Sequence, residues 1–118
     1  MLPEPAQTDI DSGRDVSGSA QTRPTVAVVK TRPETIIPDI GSCMRLSGYE
    51  SHLSKDIPTL LKINISWQHF YPSCSTSPWQ LDGVLNTLKQ DGFKDLIPTH
   101  NGTVVVDARE GEINNKIK

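Results

Sequence analysis

The sequence predicts an α/β fold: a partial, mostly parallel open sheet with helices packed on it, behind a disordered N-terminal tail. Three observations carry that expectation. Composition shifts abruptly at Thr25, from a stretch rich in Pro, Gly and Ser to a β-branched run. Short apolar runs of strand length then alternate with stretches whose apolar residues recur every three or four positions. The resulting order of strand, helix, strand, helix, strand is that of parallel strands joined by right-handed crossovers.

Each element has a local reason. Residues 1–24 hold Pro3, Pro5, Gly13, Gly18 and Pro24, with few apolar residues at no regular spacing, and read as a tail. Residues 25–30, Thr-Val-Ala-Val-Val-Lys, are too short for a helix and lie between Pro24 and Pro33, which predicts a buried strand. Over 34–48, Ile36, Ile37, Ile40, Cys43 and Met44 fall at helical spacing and Gly48 is placed as a stop. Proline beyond the first turn removes a backbone bond, so Pro38 can shift the start of the regular helix from Glu34 to itself.

Residues 59–65 form a second extended apolar run, and 66–77 a loop. A second helix follows over 78–91, with Leu81, Val84, Leu85 and Leu88 on one face and Gly92 just past its end. Residues 96–100 and 103–107 both look extended, and one of them supplies the third strand. Pro98 keeps the former away from a central position. A parallel sheet needs both faces covered, and two helices cover little. Residues 25–118 are therefore expected to be the N-terminal part of a larger α/β domain, or to complete their sheet with another chain.

Charge and cysteine usage narrow the function classes. The 118 residues carry 12 Lys plus Arg against 14 Asp plus Glu, a formal charge of -2 with no run of either sign, so nucleic acid is not the expected partner. No apolar stretch approaches the roughly 20 residues of a membrane span, and the start of the chain has no basic lead followed by an apolar run. No membrane partner is expected, and the expected compartment is a reducing cytoplasm. Cys43 and Cys74 form no CxxC, so neither a disulfide framework nor a cluster-ligating set is encoded here. No GxGxxG, P-loop or GxSxG occurs, and no cofactor is named by the residues.

Side chains alternate along a strand, so Leu60, Lys62 and Asn64 share one side of the second run and Leu61, Ile63 and Ile65 the other. In open α/β sheets ligands bind beyond the carboxyl ends of strands, where loops lead into helices. Here the loop ends in Ser75-Thr76-Ser77-Pro78, with Ser77 suited to the N-cap and Pro78 to the first helical position. Hydroxyls, a helix amino end and a nearby ammonium together favour a carboxylate or phosphate. The same spacing fits a plain cap and a lysine that reaches solvent.

Lys62-Ile63-Asn64, followed by Ser75-Thr76-Ser77-Pro78 opening a helix, resembles the Lys-Pro-Asn and Thr-Thr-His-Pro signatures of domain of unknown function 362. The stretch 61–79 looks like one uncharacterised bacterial branch of that family. The resemblance runs from about Thr25 onward and corresponds to the N-terminal portion of a family member. Two positions depart from the pattern: Ile63 stands for the family's proline and Ser77 for its histidine. The resemblance implies an α/β fold and a ligand site at Lys62, Asn64 and Thr76, with no established reaction. Many relatives add a ferredoxin-like cysteine cluster, which implies an iron–sulfur or redox partner, although this chain lacks such a motif.

Other groups in the same loop could carry chemistry. His69 beside Cys74 could generate a thiolate, or with His100 hold a metal, yet the spacing matches no compact ligand motif and fits packing and solvation equally. Trp67, Phe70, Tyr71 and Trp79 could wall a pocket or anchor the loop. Asp107, Glu110 and Glu112 could be metal carboxylates near a strand end, yet with no matching His or Asp spacing they read as a solvated polar segment.

Overall fold

The computed structural model describes residues 24–71, 73–102 and 106–117. The expected tail, apart from Pro24, and most of the run at 103–107 lie outside the described residues. The described chain is an α/β arrangement built as α1 (Ile36–Leu46), a single 3-10 turn (Tyr49–Ser51), β1 (Thr59–Lys62), α2 (Pro78–Gln90), β2 (Leu96–Thr99) and α3 (Ala108–Asn114).

The sheet is a parallel pair, with Thr59 opposite Leu96 and Lys62 opposite Thr99. The Thr59 N–H donates to the Asp95 carbonyl and the Ile63 N–H to the Thr99 carbonyl, both at 2.7 Å, and extend the ladder at each end. Helix α2 is the crossover, so β1, α2 and β2 form one βαβ unit. Pro98 stands opposite Leu61 on a strand with β1 as its one neighbour among the described residues. Its missing N–H therefore interrupts no second ladder.

Residues 25–30 are not the buried strand that their composition predicts. They belong to no sheet, and Val26 and Val28 are 83% and 86% exposed. Ala27 and Val29 are half-buried, and the Cys43 thiol reaches the Ala27 carbonyl at 3.6 Å. The local preference is that of a strand, but strand propensity measures fit to a paired, half-buried surface, and residues 25–30 pair with no described strand.

Helix α1 starts at Ile36, which puts Pro38 inside the first turn, where it costs no helical hydrogen bond. It ends before Gly48, which takes a left-handed φ of 74°. Helix α2 begins on the Ser77 cap, and Gly92 follows its last turn at φ 93°. Helix α3 was not expected. The Asp107 carboxylate accepts the Glu110 N–H at 2.8 Å, so Asp107 caps a helix that Glu110 helps to open, and both acids are exposed, as a solvated polar segment requires.

Glycines set the approach of α1 to α2. A Cβ on Gly83 would lie 2.8 Å from Ile40 Cδ1 and 2.9 Å from Ile40 Cβ, and one on Gly41 would lie 2.7 Å from Thr87 Oγ1. The carboxyl ends of the helices are tied by Asp91. Arg45 donates to both its oxygens, at 3.1 and 2.8 Å, and the Tyr49 hydroxyl donates to the same carboxylate. Bonds from Arg45, then from Tyr49, hold the Asp91 carboxyl below its ordinary value, while burial first and Asp91 second push the Tyr49 phenol up. Ile63, Ile65 and Val106 form the small core, with Leu81 and Ile117 against it, and Leu88 and Phe93 are buried near the end of α2. No helix among the described residues is long and apolar enough to cross a membrane.

Two outcomes follow from this packing. Gly83→Ala gains about 1 kcal/mol of helix propensity but overpacks against a backbone-anchored Cβ at a cost of about 1–3 kcal/mol. Urea unfolding should show a net loss, partly restored when Ile40→Ala is added. Asp91→Asn should lower the melting temperature at pH 7. Because the folded state depresses the Asp91 pKa, its contribution is complete above the unfolded value near 3.8 and is lost as acid protonates the folded group. The gap between wild type and Asp91→Asn should therefore close as pH falls below that value.

Candidate functional site

Between β1 and α2 the loop folds back on the end of the strand. The Asn64 N–H donates to Thr76 Oγ1 at 3.1 Å, and the Thr76 N–H donates to the Asn64 carbonyl at 2.8 Å. One step further along, the Ser66 N–H donates to Ser75 Oγ at 3.1 Å. Ser77 Oγ accepts the Gln80 N–H at 3.3 Å as the cap of α2. Three consecutive hydroxyls thus each accept one backbone N–H, which leaves each O–H as a donor. Pro78 has no N–H and the Gln80 N–H is taken by Ser77.

Ser75, Thr76 and Ser77 line one cavity of about 440 Å³ at this amino end, with Phe70, Tyr71 and Trp79 as its aromatic walls. All three rings are more than half exposed. Asn115 also lines the cavity, and its amide donates at 3.0 Å to the carbonyls of Trp67 and Gly111. Ser73, at the turn of the loop, has φ 64°, a conformation uncommon for a residue with a Cβ.

The structure separates the predicted site residues into two groups. It brings Ser75, Thr76 and Ser77 together at the cavity, whereas Lys62 and Asn64 are not among its lining residues. Both are exposed, alternating with Ile63 and Ile65, which are buried on the opposite face, as strand alternation predicts. The Lys62 ammonium donates to the Ile63 carbonyl at 2.7 Å, and the Asn64 amide donates to Ser66 Oγ. Asn64 therefore shapes the loop through its backbone bonds to Thr76 and its side-chain bond to Ser66.

The histidines and the cysteine do not assemble. His69 is exposed and lies edge-on to Trp67, with ring centroids 5.8 Å apart. Cys74 is half-buried in a turn closed by its N–H to the Tyr71 carbonyl, at 3.2 Å. His100, at the carboxyl end of β2, pairs through Nε2 with Glu112 of α3 at 2.9 Å. No group of three or more His, Cys, Asp or Glu among the described residues could hold a metal ion. Distance in the fold decides this: His100 is drawn toward α3, an element the spacing argument did not contain.

A second hollow is larger, about 960 Å³, and lies between α1 and α2. Ile36 and Ile37 of α1 and Leu81 and Leu85 of α2 line it with Ile117, and Arg32, Asp82 and Lys116 are also in the lining. Pro78 and Trp79 belong to both cavities. The helical spacing of the isoleucines and leucines was visible in sequence, but which part of each stripe stays uncovered depends on how the helices meet.

No protein-family model matches the chain, and no curated protein or solved structure matches it.

The local role of the cap is measurable apart from any ligand. Ser77→Ala should cost about 1 kcal/mol in urea unfolding, and Ser77→Asp should retain most of it.

Proposed function

We propose that this chain binds a small carboxylate or phosphate where the carboxyl end of β1 meets the amino end of α2. The observation that carries the reading is that Ser75, Thr76 and Ser77 line one cavity while each oxygen already accepts a backbone N–H. Their remaining hydrogen-bonding capacity includes donation, which matches an oxyanion. The positive end of the α2 dipole adds to it. Lys62, on the exposed face of the same strand end, contributes positive charge from outside the cavity wall, and Asn64 keeps Thr76 in place. Of the ligand site at Lys62, Asn64 and Thr76 that the resemblance to domain of unknown function 362 implies, Thr76 lines this cavity and Lys62 and Asn64 do not. The assignment is to binding, and no reaction is attached to it.

A second reading, a binding module completed by another polypeptide, is favoured by the apolar side chains left open at Val26, Val28, Leu60 and Ile97. An iron–sulfur or redox protein is the partner class the resemblance implies.

Thermal melts in increasing phosphate and in acetate test the first reading. Wild type should gain stability in proportion to the logarithm of anion concentration above its Kd. Thr76→Val should lose that response, and Lys62→Ala should need more anion for the same gain. A wild-type melt indifferent to both anions at constant ionic strength would remove the basis for the anion site.

A further inference from the structure

We propose that the groove between α1 and α2 is a second binding site, sharing only Pro78 and Trp79 with the hydroxyl-lined cavity, for a single-chain amphiphilic monoanion such as a long-chain carboxylate. Its volume of about 960 Å³ is at the upper end of small-molecule pockets, which are roughly 300–1,000 Å³. Ile36, Ile37, Leu81, Leu85, Trp79 and Ile117 supply walls that suit a hydrocarbon body.

Charge selects the head group. Arg32 and Lys116 line the groove against one carboxylate, Asp82, whose Oδ1 already accepts the Asn86 amide at 3.2 Å. The ion pairs among the described residues are Arg45 with Asp91 and His100 with Glu112, so both groove cations are unpaired there. The lining carries one net positive charge. A monoanionic head balances it, whereas an uncharged chain leaves it unmatched and a cationic amphiphile is repelled. A second copy docked about a twofold axis would bring the same cations to the same groove, which disfavours an isologous dimer as occupant.

The test is a titration of the full chain with octanoate, decanoate and dodecanoate below their micellar concentrations. It follows the fluorescence of Trp79 in a Trp67→Phe background. Binding should be saturable, with affinity rising about fourfold per added methylene until the groove is filled. Arg32→Gln with Lys116→Gln should weaken dodecanoate binding at least tenfold. Both side chains are exposed, so a far-UV circular dichroism melt matching the parent should confirm that the variant is folded. Dodecyltrimethylammonium should bind at least tenfold more weakly than dodecanoate. Affinity independent of chain length, or equal binding of dodecanoate to the charge-neutralised variant, would overturn the proposal. So would sedimentation showing a dimer at the working concentration that gives no response to dodecanoate, since the groove would then belong to a second copy. The outcome is separable from the phosphate result, because phosphate has no chain to lengthen.

Discussion

The reciprocal pair of bonds between Asn64 and Thr76 is the joint on which the βαβ unit and its cavity both depend. One residue earlier, the Ile63 N–H holds the end of β2, so two successive residues tie β1 to its partner strand and to the approach of α2. On either side of Asn64 the side chains of Ile63 and Ile65 join Val106 in the core. Alternation makes the arrangement intolerant of slippage: a one-residue shift would drive Lys62 and Asn64 into the core and expose both isoleucines. The positions of Ser75, Thr76 and Ser77 are thus inherited from the register of a buried strand end.

A different constraint governs the helices. Gly41 and Gly83, with no Cβ of their own, make room for Thr87 and Ile40 from the facing helix, and the Thr87 hydroxyl donates to the Gly83 carbonyl at 2.7 Å. The Asp91 clamp then ties the carboxyl ends. Near the amino ends the apolar side chains are larger, and Ile36, Ile37, Leu81 and Leu85 stand apart around a hollow. Close packing in one region and an open groove in another both arise from where small and large residues fall along the two helices.

Much of this was legible in sequence where the deciding physics is local. Ser77, Pro78 and Gly92 announce both ends of α2, because a cap, a missing N–H and a left-handed φ are properties of single residues. Alternation announced which side of β1 is buried. Residues 25–30 misled because a β-branched run reports preference and not pairing. Helix α3 had a legible signal in the three-residue step from Asp107 to Glu110, but its apolar content is too low for periodicity to reveal it. The Arg45–Asp91 clamp joins residues 46 apart, and the placing of Lys62 depends on a bond to a neighbouring carbonyl. Neither leaves a trace in composition or spacing.

The two cavities are not physically isolated, because Trp79 is a wall of both. It is the second residue of α2, directly after Pro78, so its backbone is held by the capped turn while its ring stands half exposed between the two cavities. A ligand that fixes the ring in one orientation removes or adds wall in the other cavity. By linkage any such effect is reciprocal: the factor by which an anion at the hydroxyls changes the affinity of the groove equals the factor in the opposite direction. The sign depends on which orientation both ligands accept, and a shared orientation makes each ligand pre-organise the site for the other.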